Sequence, residues 1–207
     1  MKERRRWSRS FFSQSYHKGG SKMTIYSQTY HSPIGELILL SDGKALTGVH
    51  YHRSEFEKKR RDQPILEEKL SLFSEVSHWL DMYFQGENPE ITFSLEPKGT
   101  CFQQSVWQEI RQIPYGQTTT YGEISQKIAQ SMGKDNMSAQ AIGGAVGSNP
   151  ISIIIPCHRV IGKTGSITGY GGGIERKLAL FALENIPEKT YFIPKNIKEA
   201  RSFANYN

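Results

Sequence analysis

Only two of the 207 residues are cysteine, Cys101 and Cys157. Two thiols cannot build the set of bridges that small secreted domains depend on, so both read as free and the expected setting is reducing and cytoplasmic. Long apolar runs are missing too. No stretch nears the ~18 residues of a membrane-spanning helix, so a membrane is not an expected partner. Metal-ligand spacing is also lacking, because one thiol beside one imidazole, with Cys101 far off in the sequence, supplies too few ligands for zinc. Neither a metal nor a cofactor is expected. The glycine run Gly169, Tyr170, Gly171, Gly172, Gly173 lacks the lysine spacing of a phosphate-binding loop and reads instead as a mobile pocket wall.

What is there in excess is positive charge, +6 in total, but its placement matters more than its size. Residues 1–22 hold seven basic groups against Glu3, so the remainder of the chain is neutral as a whole. Within that remainder, residues 23–100 carry 8 basic and 12 acidic groups, and residues 101–207 carry 11 and 7. An acidic first half and a basic second half imply two modules, with any phosphate contact made by the second. Residues 1–22 have no apolar stretch of signal-peptide length and read as a disordered basic arm, with Met23 as a candidate start and an organelle presequence as the alternative.

The patterning divides the rest. Alternation over residues 24–30, then Glu36 to Leu40 and Ala45 to Tyr51 around Asp42 and Gly43, predicts strands joined by a tight hairpin. Leu66, Leu70, Phe73, Val76, Leu80 and Phe84 recur at helical spacing and predict one long helix over Pro64 to Gln85, followed by a short strand at Ile91 to Leu95. A second module opens with a helix over Phe102 to Ile113. Thr120 with Glu123 forms a capping box for the next helix, and Ser138 caps a third, Ala139 to Val146, whose Ala141, Gly143, Gly144 and Ala145 leave little side-chain bulk. Two short helices joined by a turn match a helix-turn-helix, and Gly162 to Gly165 could turn a wing. The expected boundaries are 1–22 for the arm, 23–96 for the first domain, 101–187 for the second and 188–207 for a tail.

The densest chemistry lies at Pro156, Cys157, His158, Arg159 and Val160, directly after the apolar run Ile151 to Ile155, which reads as a buried strand. A thiol at such a junction is a candidate nucleophile, but in extended backbone the side chains of Cys157 and His158 diverge, so direct pairing is not assured.

Asn149 and Pro150, the apolar run, the pentad at 156–160 and the glycine loop at 169–173 together resemble the alkylguanine-DNA alkyltransferases, from about Phe102 to Asn185 and including the Tyr121 region. The resemblance implies an α+β fold: a β-rich, ribonuclease-H-like first domain with a covering helix, then a winged helix-turn-helix domain. It implies a monomer that transfers an alkyl group irreversibly from the 6-oxygen of guanine, or from the 4-oxygen of thymine, in double-stranded DNA to Cys157, after the damaged nucleotide has rotated out of the stack. On the same ground His158 takes the thiol proton through water, Glu184 orients the imidazole and Asn149 braces the site. Tyr121 crowds the target phosphate and donates to the rotated base, while Val160 and Cys157 offer carbonyls to the guanine amino group. Tyr170 and Gly171 close the pocket, and Arg159 is structural.

One departure concerns Gln140, which stands on the recognition helix where many relatives carry an arginine that fills the gap left by the rotated base. Lys163 and Lys134 are candidate phosphate contacts that compensate for the missing charge. Two other readings compete: a sensor that binds alkylated DNA without repairing it, and a winged-helix regulator in which Cys157 is merely buried or redox-active.

Overall fold

The structure, a computed structural model, describes residues 24–51, 64–167 and 169–194. The basic arm and most of the tail lie outside these residues. The first module is a four-stranded sheet: β1 (Ile25–Ser32), β2 (Gly35–Ser41), β3 (Leu46–His50) and β4 (Ile65–Glu67), in the order β3-β2-β1-β4. β1, β2 and β3 run antiparallel, Ser32 facing Gly35 across the first turn, and β4 joins β1 in parallel. The second turn holds itself. Asp42 Oδ1 accepts from the amides of Lys44 and Ala45, and Ser41 Oγ accepts from Gly43.

Helix α1 (Ser71–Phe84) covers the sheet. It starts later than the periodicity predicts, because Ile65 to Glu67 are drawn into the sheet as β4 and leave Leu66 exposed. Backbone pairing with a ready edge outweighs a helical register for so short a segment. Phe73, Val76, Trp79, Leu80 and Tyr83 form its buried stripe, each worth about 1.5–3 kcal/mol of apolar burial. The strand expected at Ile91 to Leu95 is reduced to one bridge, Leu95 to Leu46.

The second module begins at helix α2 (Cys101–Arg111), closed at its start by the reciprocal bonds of Thr100 and Gln103. Helices α3 (Tyr121–Ser131) and α4 (Ala139–Gly147) form the helix-turn-helix, each with its predicted cap, Thr120 with Glu123 and Ser138. Ile142, Ala145 and Val146 of α4 face inward, and its outer face is Ala139, Gln140, Ala141, Gly144 and Gly147. A short parallel pair, β5 (Thr119–Thr120) with β6 (Val160–Ile161), ties the start of α3 to the segment after Cys157. Helix α5 (Ile174–Leu183) ends the domain.

The modules share one core. A single apolar cluster runs from Leu37, Leu39 and Leu46 through Phe73 and Leu80 to Val106, Ile110, Ile155 and Cys157. Backbone bonds cross the boundary as well: the Val49 amide donates to the Pro150 carbonyl at 2.8 Å, and the Ser152 amide to the Val49 carbonyl at 3.2 Å. The first sheet thus abuts the segment that carries the thiol. Among the described residues no helix is long and apolar enough to cross a membrane.

Candidate active site

The apolar run before the pentad is not a strand. Only Ile151 makes a bridge, to Val49, and the chain then coils, with Ile155 N donating to Ile151 O at 3.0 Å and Ile153 at a φ of 71°. A β-branched residue in the left-handed region is strained and needs surroundings that enforce it. Asn149 supplies them. Its Oδ1 accepts from Ile151 N at 3.1 Å and its Nδ2 donates to Ile155 O at 2.8 Å, so one side chain clasps both ends of the coil. The same Nδ2 lies 3.1 Å from Cys157 Sγ. A feature that reads as buried β-structure is a compact loop wound around one amide.

Cys157 to Arg159 form a single 3-10 turn, so the extended backbone that would make the side chains of Cys157 and His158 diverge does not exist here. Both are buried, His158 fully. His158 Nε2 lies 2.7 Å from Glu184 Oε1, at the C-terminal end of α5. Arg159 grips the same carboxylate with two nitrogens, Nε to Oε2 at 2.8 Å and Nη2 to Oε1 at 2.9 Å, and its Nη1 donates to Ile113 O at 2.6 Å. The Gly116 amide, at 3.3 Å, and the Tyr83 hydroxyl, at 2.6 Å, complete the set of donors.

Electrostatics follow from these contacts. Burial by itself pushes Glu184 up, but the bonds from His158 and Arg159 more than offset it and bring the carboxyl to about 2. Glu184 is ionised and therefore only accepts, which assigns the proton of a neutral His158 to Nε2 and leaves a lone pair on Nδ1. Burial, helped by the charges of Arg159 and Lys177, holds His158 below its ordinary value against the pull of Glu184, so the imidazole is neutral near pH 7. Among the described residues, Nδ1 of His158 is the buried side-chain atom with no hydrogen-bond partner. An unsatisfied basic lone pair in a protein interior is rare and marks chemistry or a water site.

The thiol faces the opposite balance. Burial pushes Cys157 up, while the Asn149 amide, the charge of Lys177 and backbone donors pull it down. Lys177, on α5, is wholly buried and donates to Val160 O at 2.6 Å. Burial brings its ammonium down to about 8, and attraction to Cys157 opposes that. The Val160 carbonyl, expected to be free for a guanine amino group, is thus already accepting one bond and keeps its second lone pair.

The glycine loop is tied down rather than loose. Tyr170 and Tyr51 share a hydrogen bond of 2.6 Å between their hydroxyls, and Arg176 donates to Gly172 O at 2.9 Å and to Ile34 O at 2.8 Å. A Cβ on Gly172 would run into the Tyr51 ring, so only glycine lets the loop lie against the first module. Gly171 is exposed at the rim, and the Tyr170 ring stands edge-on to His158, centroids 6.3 Å apart.

Tyr121 is the first residue of α3, fixed by Glu123 Oε2, which accepts from Thr120 N at 2.7 Å and from Thr119 Oγ1 at 2.8 Å. Gln140, Lys134 and Lys163 are exposed and belong to the outer surface rather than to the buried cluster. Four participants escaped the sequence reading: Arg159 as a ligand of Glu184, Lys177, Tyr83 and Tyr51. A charged residue at a buried helical position was the available signal for Lys177; nothing in the sequence marks the two tyrosines.

Two family models match, "6-O-methylguanine DNA methyltransferase, ribonuclease-like domain" over residues 25–97 and "6-O-methylguanine DNA methyltransferase, DNA binding domain" over residues 101–186. A curated relative from Haemophilus influenzae, named methylated-DNA--protein-cysteine methyltransferase, is 42% identical over 164 residues, 79% of this chain and 88% of its own length. The Mycobacterium tuberculosis relative of the same name is 44% identical over 160 residues, 77% and 92% of the two chains. A crystal structure of the M. tuberculosis protein OGT in complex with DNA superimposes with a TM-score of 0.65 at 43% identity, covering 77% of this chain and 92% of that one.

Proposed function

This chain belongs to the 6-O-methylguanine DNA methyltransferase family, whose members repair DNA by alkyl transfer, and we propose that Cys157 is the acceptor and His158 the base that activates it. The observation that carries this assignment is the lone pair of His158 Nδ1, buried without a partner one residue from a buried thiol. A thiol with an ordinary value near ~8.5 is mostly protonated at neutral pH, and burial makes that worse. It needs a base. With Nε2 committed to Glu184, His158 can accept only at Nδ1, and one bridging water between Sγ and Nδ1 carries the proton.

The thiolate then attacks the alkyl carbon of the rotated guanine. The sulfur–carbon bond forms as the carbon–oxygen bond breaks, the electron pair goes to the guanine 6-oxygen, and the base takes up a proton from the Tyr121 side. Asn149 Nδ2 and the ammonium of Lys177 stabilise the thiolate before attack. Tyr170 and Gly171 wall the pocket, Val160 O and Cys157 O meet the guanine amino group, and the smooth outer face of α4 lets Gln140 approach the vacated stack. Lys163 and Lys134 contact phosphates. A thioether has no easy leaving group, so the protein acts once. The 23–96 segment is the scaffold and 101–187 the DNA-binding and reacting domain of a monomer that works in the cytoplasm.

The test is intact mass after incubation with duplex containing 6-O-methylguanine. Gain of one methylene equivalent is expected, and Cys157→Ala should abolish it. A duplex that binds without any gain in mass would turn the reading toward an alkylation sensor.

A further inference from the structure

The first module places one hydroxyl directly on the Glu184 carboxylate. Tyr83 sits on the last turn of α1, its ring stacked on Trp79 at 5.4 Å and edge-on to Tyr115 at 6.1 Å, with about 1% of its surface exposed. Its hydroxyl donates to Glu184 Oε1 at 2.6 Å. The same oxygen accepts from His158 Nε2 at 2.7 Å and from Arg159 Nη2 at 2.9 Å. A carboxylate oxygen offers about two lone-pair sites, so three donors on Oε1 share one charge. Whatever Tyr83 withdraws is not available to hold a proton on His158.

We propose that Tyr83 is a positioning residue for the transfer, attenuating the Glu184 charge felt by His158 so that the imidazole stays neutral and free to accept the thiol proton. This rests on His158 acting as the base. The other ionisable or charged groups around the pair are Arg159 and Cys157 on the 3-10 turn, Lys177 on α5, Tyr115 after α2, and Tyr51 and Tyr170 across the loop. Burial and the neighbouring carboxylate keep the Tyr83 phenol protonated throughout the working range, so it acts as a constant donor. The first module is then part of the reaction centre and more than its cover.

The experiment is single-turnover transfer from 6-O-methylguanine duplex, read by intact mass, as a function of pH. In Tyr83→Phe the ring packing stays and only the hydroxyl goes. The acid limb of the rate profile, where His158 must lose its proton, should move up by about half to one pH unit, slowing transfer several-fold below the limb and not above it. Replacing Tyr83 with 3,5-difluorotyrosine, a stronger donor of the same shape, should move the limb the other way, and this keeps the test open should the phenylalanine variant fold poorly. Tyr30→Phe removes an equivalent tyrosine–carboxylate bond to Asp81 on the same helix, 2.7 Å long and exposed, and should leave the limb in place. A limb that stays fixed in both Tyr83 variants while the wild-type protein transfers normally would overturn the proposal. Absence of transfer in the wild-type protein would instead overturn the assignment of Cys157 and His158.

Discussion

The two ends of the buried cluster are built on opposite plans. At the carboxylate end, Glu184 receives bonds from Tyr83, His158, Arg159 and the Gly116 amide, every one of them from a different stretch of chain except the adjacent pair on the 3-10 turn. At the thiol end, Cys157 has one side-chain donor, Asn149, and the neighbouring imidazole nitrogen has none among the described residues. A saturated charge is costly to disturb and holds its surroundings in place, while an unsatisfied lone pair is poised to react. Structure is concentrated at one end and chemistry at the other.

The largest effect that would test this contrast comes from paired substitutions. Glu184→Gln leaves Arg159 buried without its counter-charge, and urea unfolding should show a loss of about 3–5 kcal/mol along with loss of transfer. Cys157→Ala removes only a small buried atom, so stability should change by about 1 kcal/mol or less although transfer is abolished. Equal losses of stability at the two ends would break the comparison.

A smaller effect is the acid dependence of stability. Glu184 lies at about 2 in the folded protein against 4.5 for an ordinary glutamate, so the folded state binds that proton less readily than the unfolded chain. Its contribution is complete above pH 4.5 and is lost as the pH falls toward 2, by a few kcal/mol at most. His158, held below its ordinary 6.5, works in the same direction, because the unfolded chain takes the proton first as the pH drops. Thermal midpoints measured from pH 7 to pH 3 should fall steadily, and a midpoint that rises on acidification would contradict both assignments.

The smallest effect should leave both ends untouched. Gln140 is exposed on α4, outside the buried cluster. Gln140→Arg should tighten binding to duplex DNA by a few-fold at low salt and steepen the salt dependence by about one unit of log K against log salt if the new charge meets a phosphate. Thermal stability should not move. Unchanged affinity and transfer rate would show that the glutamine is no handicap.

The parts of the fold that were legible in the sequence are those set by neighbours along the chain. The capping box of α3, the Ser138 cap of α4, the turn at Asp42 and the helix-turn-helix spacing involve residues no more than a few positions apart, and the structure keeps them. The readings that changed are those in which a distant partner intervened. Ile65 to Glu67 left the helical pattern for an edge beside β1, and Ile151 to Ile155 coiled because Asn149 offered them bonds that a strand partner did not. At the site, the resemblance carried by the pentad named Cys157, His158, Asn149 and Glu184, but it left Arg159 as mere structure and missed Lys177 and Tyr83 altogether.

By itself the sequence determined that a thiol and an imidazole would be adjacent, that a glycine-lined helix would follow a capped one, and that basic charge would gather in the second half. These are matters of order, spacing and composition. Only the tertiary structure decided which nitrogen of His158 is free, because that depends on Glu184 meeting Nε2 across 26 positions, with its charge shared by Tyr83, which lies 101 positions before Glu184. Tautomer and basicity are set by contacts through space in a buried, low-dielectric interior, where the next residue in the sequence counts for less than the next residue in the core.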